Sequence, residues 1–145
     1  MTRGRTSRTH SGAAALELAL MLPLFLLLII GILEFGRAVS LVQILTSGCR
    51  EACRQAIIPG ANDANILSVA NNYLSGCGVS QTGRIVLIRN AQGEPASLDP
   101  SSPDYIGPHE RVTVHIEVPF DQNTFGISIW FLGRNLVTEV SMRRE

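Results

Sequence analysis

The chain of 145 residues contains no lysine. All 12 basic side chains are arginine, and 12 acidic side chains balance them to a formal net charge of zero. Such a balance gives no basic field that would attract nucleic acid. Aromatic residues are only 6% of the chain and are not interleaved with arginine clusters, so we expect no nucleic-acid partner.

Common active-site patterns are also missing. The sequence has no glycine-rich phosphate loop, no dinucleotide fingerprint and no paired-carboxylate signature. No cysteine has the context of a nucleophile, which disfavours a Cys–His hydrolase. Cys49 and Cys53 with His109 or His115 would offer metal ligands, but nothing in the sequence brings the histidines to the cysteines. We therefore expect no enzymatic activity, no metal and no cofactor.

Charge is absent from one long stretch, residues 18–33. The apolar segment around it covers residues 13–35, with Glu17 near one end and Glu34 near the other. A helix of that length crosses a hydrocarbon core of about 30 Å. A cleaved secretory signal usually has an apolar core of only about 7–15 residues, so the sequence favours a membrane anchor.

Arginines alone carry the charge before this segment, and no acid precedes Glu17. A short arginine-rich tail stays in the cytoplasm, which sends the rest of the chain outward. The sequence thus predicts a single-pass protein with its N-terminus in the cytoplasm. Its expected parts are a basic cytoplasmic leader at 1–12, a transmembrane helix at 13–35 and an extracytoplasmic domain at 36–145.

Beyond the membrane, apolar residues continue at spacings of three and four until Pro59-Gly60, so the helix is expected to extend into the domain. Asn62 or Asp63 is expected to cap a second helix, with Gly76 at its C′ position. Strand patterns follow at 84–89, 111–120 and 136–142. This order predicts an α+β fold with a second helix and an antiparallel sheet of about three strands.

Two segments of the domain carry further predictions. Alternation in the second strand places Thr113, His115 and Glu117 on its wet face. The stretch from Phe125 to Leu132 is apolar and suits either the core or a patch against the membrane surface or a partner. Core packing is preferred, because a domain of about 110 residues needs its apolar side chains inside.

Cys49, Cys53 and Cys77 lie in the part expected outside the cytoplasm, where disulfides persist. The first two are one helical turn apart, with about 5–6 Å between Cβ atoms, whereas a disulfide needs about 3.8 Å. Cys77 is the expected partner for one of them. An antiparallel helical hairpin favours Cys49–Cys77 and leaves Cys53 as a small buried residue.

Residues 12–17, Gly-Ala-Ala-Ala-Leu-Glu, follow a Gly-x4-Glu pattern just after the basic leader. The pattern resembles the class III signal of type IV pilins, which a membrane prepilin peptidase cuts after the glycine. Residues 12–37 as a whole, ending Gly-Ile-Leu-Glu-Phe-Gly-Arg, resemble the TadE-like family of pilus-assembly proteins. The C-terminal Thr138–Glu145 is also similar to that family.

The resemblance implies a minor pilin or pseudopilin of a tight-adherence secretion system, whose type IV-like pili serve cell adhesion. Gly12 would precede the cut, Ala13 would become the first mature residue and Glu17 the fifth. Leu18 stands where the major pilin has tyrosine, and the chain is longer than major pilins, which favours a minor role. The implied partners are the prepilin peptidase, other pilin subunits, the assembly platform and the lipid of a bacterial inner membrane.

Glu17 fits this picture physically. A carboxylate within a membrane segment costs about 3 kcal/mol, so it needs a partner. Cleavage would create an ammonium at Ala13, one turn away, and in an assembly Glu17 of one subunit would pair with the amine of its neighbour. The alternative is an uncut anchor that holds an extracytoplasmic binding module, in which Glu17 reaches up to the headgroups.

Overall fold

A computed structural model describes residues 10–124 and 128–145, with side chains from Gly12 onward. Its elements confirm the predicted α+β fold: a long N-terminal helix, a second helix and a three-stranded antiparallel sheet. In chain order they are α1 (His10–Ala56), α2 (Asp63–Gly76), β1 (Ile85–Arg89), β2 (Arg111–Pro119), a 3-10 turn (Asp121–Asn123) and β3 (Asn135–Arg143).

Helix α1 has two halves with different surroundings. Every side chain from Gly12 to Leu33 is exposed except at Gly31, which is half-buried. Its most apolar window has a mean hydropathy of 2.7 and is 0% buried, so by length and composition this half qualifies as a membrane-spanning helix. The second half is amphipathic, because its buried stripe recurs every three or four residues: Ala38, Leu41, Leu45, Cys49, Ala52, Cys53 and Ala56.

At 1.5 Å per residue, the 47 residues of α1 extend about 70 Å, more than twice the thickness of a hydrocarbon core. Only the first half can therefore lie in lipid, and the chain has a candidate single-pass anchor. The second half carries the domain.

The domain core lies between α1, α2 and one face of the sheet. Strands pair in the order β1-β2-β3, with Val114 of β2 opposite Ile88 on one side and Val140 on the other. The inward residues of β2 are fully buried, as alternation predicts, because period-two side chains share a face. They are Val112, Val114, Ile116 and Val118.

Close packing of the two helices depends on Gly48. A Cβ there would lie 3.2 Å from Leu74 Cδ2 and 3.3 Å from Tyr73 Cδ1. At the start of α2, the side chain of Asn62 accepts a hydrogen bond from the Asn65 N–H at 2.8 Å, which makes Asn62 the N-cap.

The end of α2 corrects one prediction. Gly76 is the last helical residue, and the left-handed backbone conformation falls instead at Gly78, with φ 75°. There the Val79 N–H reaches back to the carbonyl of Leu74 at 3.0 Å, so Gly78 supplies the conformational freedom that the termination needs.

The preferred core interpretation of the segment from Phe125 to Leu132 is wrong for three of its residues. Ile129, Trp130 and Leu132 are 49%, 60% and 70% exposed. Among the apolar residues at 128–132, Phe131 alone turns toward the core, where its ring lies 5.1 Å from that of Phe120. Residues 125–127 lie outside the described part of the chain.

Candidate functional site at the membrane exit

Glu34 joins the membrane helix to the loop before β3. Its Oε1 accepts hydrogen bonds from the Ser128 hydroxyl at 2.6 Å and from the N–H groups of Trp130 and Phe131, both at 3.0 Å. Its Oε2 accepts from the Ile129 N–H at 3.2 Å. The residue is only 5% exposed. An ionised carboxylate is an acceptor only, so a group of converging donors suits it.

Arg37 lies three residues after Glu34, on the same side of α1. Its Nε donates to the carbonyl of Asn123 at 2.9 Å. Asn123 is itself buried, accepts from the Ser80 N–H at 2.7 Å and donates to the Pro119 carbonyl at 2.9 Å. One turn of α1 thus holds both ends of the connection between β2 and β3.

We call Glu34, Arg37 and the loop 128–131 the exit clamp. No local pattern in the sequence indicates it, because Glu34 and its donors are separated by 94 to 97 positions. The one available signal is that two opposite charges stand three residues apart where the apolar segment ends. Such a pair is typical of any membrane boundary. Its role becomes visible only in the fold, where the connection from β2 to β3 lies beside it.

Apolar contacts continue from the clamp toward the membrane segment. The indole Nε1 of Trp130 lies 3.5 Å from where a Cβ at Gly31 would be. Phe35, on the same stretch of α1, is 63% exposed. The small Gly31 leaves room for the indole against the helix.

The predicted processing and assembly residues lie at the other end of the apolar half. Gly12, Ala13 and Glu17 are exposed on the first turns of α1. Glu17 lies four positions after Ala13, which places them on one helical face. Within the described residues, no hydrogen bond or ion pair engages the Glu17 carboxylate.

The three cysteines are free thiols in this structure. Cys49 and Cys53 are fully buried and donate to the carbonyls of Thr138 and Val140 at 3.5 and 3.0 Å, whereas Cys77 is exposed. Both buried thiols lie beyond the apolar half of α1. Desolvation by burial raises the pKa of Cys49 to about 12, with Cys53 adding to the effect. The Cys49–Cys77 bond stays a prediction, although these positions argue for Cys49 and Cys53 as packing groups.

The burial of His115 corrects a third prediction. It lies on the outer face of the sheet but is only 5% exposed, because neighbouring acids cover it. Its Nδ1 is 2.6 Å from Glu139 Oε1 and its Nε2 is 3.6 Å from Glu117 Oε2, while Arg89 also reaches Glu139 at 3.1 Å. Among the described residues, no group of three or more His, Cys, Asp or Glu side chains is arranged to hold a metal ion.

The architecture defines a class of protein: a small α+β domain built on the outer half of one long helix, whose inner half is an apolar candidate anchor. Residues 12–54 match the family model described as TadE-like protein, which confirms the resemblance found in the sequence. Searches of curated proteins and of solved structures found no match.

Proposed function

We propose that the chain is the precursor of a minor pilin or pseudopilin of a tight-adherence, type IV-like pilus. The observation that carries the proposal is the family match, which begins at Gly12 and continues through the apolar half of α1 into the domain. The proposed location is a bacterial inner membrane, with the N-terminus in the cytoplasm and the domain outside.

In the proposed maturation, a prepilin peptidase cuts after Gly12 and removes the basic leader. The new ammonium at Ala13 begins a helix, and the Glu17 carboxylate lies one turn along the same face. In an apolar surrounding these two charges are costly alone, and their pairing between neighbouring subunits offsets both costs. The exposed carboxylate of Glu17, which has no partner within the described residues, supports this role.

The domain would then serve contacts with other pilin subunits, with the assembly platform or with a surface. We propose no catalytic role for it. Secretion and adhesion would be functions of the assembled fibre, in which this subunit is a minor component.

The first test is the mass of the protein extracted from membranes of a pilus-forming host. Cleavage predicts a mature chain that begins at Ala13. Gly12→Val should block processing, because the residue before the cut must stay small. Gly36→Val is the matched control, since a Cβ at either glycine meets no atom within 4 Å. An intact N-terminus in the wild type would refute the proposal and favour an uncut anchor that holds a binding module.

The second test separates anchoring from assembly. Glu17→Gln should leave membrane insertion and processing intact yet abolish incorporation into pili, because the amide cannot neutralise the ammonium. Glu51→Gln is the control on the same helix, where Glu51 makes only an exposed ion pair with Arg54 at 3.8 Å. Normal incorporation of the Glu17→Gln variant, measured in sheared pilus fractions, would remove Glu17 from the mechanism.

A further inference from the structure

The exposed apolar side chains of the clamped loop have no protein core to enter. Ile129, Trp130 and Leu132, here called the interface patch, are exposed within and directly after the loop that Glu34 binds, and the Trp130 indole lies at Gly31 of α1. We propose that the interface patch inserts into the lipid bilayer, at the headgroup boundary of the leaflet on the domain's side. This inference concerns the membrane-resident chain and does not depend on cleavage after Gly12.

The depth of Trp130 follows from its neighbour on the helix. The indole packs at Gly31, which is four residues before Phe35, where the apolar segment ends. Four residues of helix correspond to about 6 Å along the axis, so the indole lies about 6 Å inside the apolar segment. Tryptophan is enriched at this level of membrane proteins, and interfacial apolar groups typically reach about 5–10 Å into the boundary.

A non-helical loop at that level normally carries a heavy cost, because lipid cannot satisfy its backbone N–H groups. The exit clamp lowers this cost. Glu34 accepts from the N–H groups of three consecutive residues, 129 to 131, and from the hydroxyl of Ser128. The loop in turn covers the carboxylate, which would otherwise be a charge facing lipid.

Lipid is the expected contact of the interface patch because the patch continues the apolar surface of α1. Trp130 lines one surface recess together with Gly31 and Phe35, and Phe35 is 63% exposed at the end of the half of α1 that is long and apolar enough to span a membrane. Arg134 follows the patch and is exposed, where a cation suits lipid phosphates. A second protein chain could cover the interface patch only if it displaced lipid from this position.

Trp130 is the one tryptophan of the chain, which makes a direct test possible. The full-length protein is reconstituted in vesicles whose phosphatidylcholine carries bromine either near the ester end or near the methyl end of the acyl chain. We expect bromine near the ester end to quench Trp130 emission at least about twofold more strongly than bromine near the methyl end, since indoles prefer the interface. Acrylamide in the water should quench it weakly.

Two variants and a lower protein-to-lipid ratio serve as controls for the quenching experiment. Glu34→Gln should weaken the depth preference because it loosens the loop, and Glu51→Gln should not. Tenfold dilution of protein in lipid should leave the quenching unchanged. Strong acrylamide quenching without lipid quenching would overturn the proposal, and so would lipid quenching that appears only on dilution, because another copy of the chain would then cover the patch.

Discussion

Replacing Glu34 should release the loop that ends at Phe131 while leaving the domain folded. Glu34 accepts four hydrogen bonds from residues 128–131 of this loop, and three of them converge on Oε1. A glutamine can keep its carbonyl at that position, but its amide nitrogen then faces the Ile129 N–H, donor against donor. An alanine leaves every one of these donors without a partner.

The size of the effect follows from the hydrogen bonds that each variant removes. A hydrogen bond to a charged group is typically worth about tenfold or more in a local equilibrium. Glu34→Gln removes the bond from the Ile129 N–H and weakens those to Oε1, so loop opening should become about tenfold more frequent. Glu34→Ala should raise it by about a hundredfold or more, up to the exchange rate of an unprotected amide.

Hydrogen exchange of the peptide that covers residues 129–131, in detergent or lipid discs, measures this opening directly. The amide of Val114 in β2 serves as an internal reference, because it lies in the sheet core and should be unaffected. Glu51→Gln should behave like the wild type. If residues 129–131 exchange as fast in the wild type as in Glu34→Ala, the Glu34 carboxylate does not hold the loop.

Two further predictions concern the domain interior. A maleimide should label only Cys77 in the folded protein and should reach Cys49 and Cys53 only after denaturation, because burial keeps those thiols neutral and enclosed. A Cys77 that reacts only after reduction, measured by mass, would instead establish a disulfide. Thr138→Val should be neutral or stabilise the fold by up to about 1 kcal/mol, since the Thr138 hydroxyl is buried without a partner among the described residues. A fall of the melting temperature by more than about 4 °C would show that the hydroxyl has a partner.

Periodicity predicts the amphipathic helices and the strands well because each buried stripe or face meets the same core along its length. The buried stripe of α1, the cap at Asn62 and the alternation in β2 are local patterns, and the structure confirms them. The strand predicted at 136–142 is one residue longer at each end, at Asn135–Arg143, where pairing with β2 rather than side-chain pattern sets the limit.

Periodicity fails where the surroundings of a side chain come from elsewhere in the chain. Alternation correctly puts His115 on the outer face of the sheet. A side chain on that face can still be buried by its neighbours, and here Glu117 and Glu139 cover the ring. The core prediction for Ile129 and Trp130 is wrong because an apolar composition does not distinguish side chains that pack in the protein core from side chains that face lipid. The position of Trp130 beside Gly31 makes lipid the candidate, and no spacing in the sequence contains that information.

The two acids of the membrane helix show how a carboxylate near lipid can be tolerated in two ways. Glu34 is satisfied within its own chain by four donors, so it positions a loop and needs no other molecule. Glu17 is exposed and unpaired in the described part of the chain, within an apolar segment where an isolated charge is costly. A group in that state can reach up to the headgroups, take up a proton or find its partner on another chain. The proposed cleavage after Gly12 would supply such a partner, because the amine that it frees at Ala13 lies one helical turn from position 17.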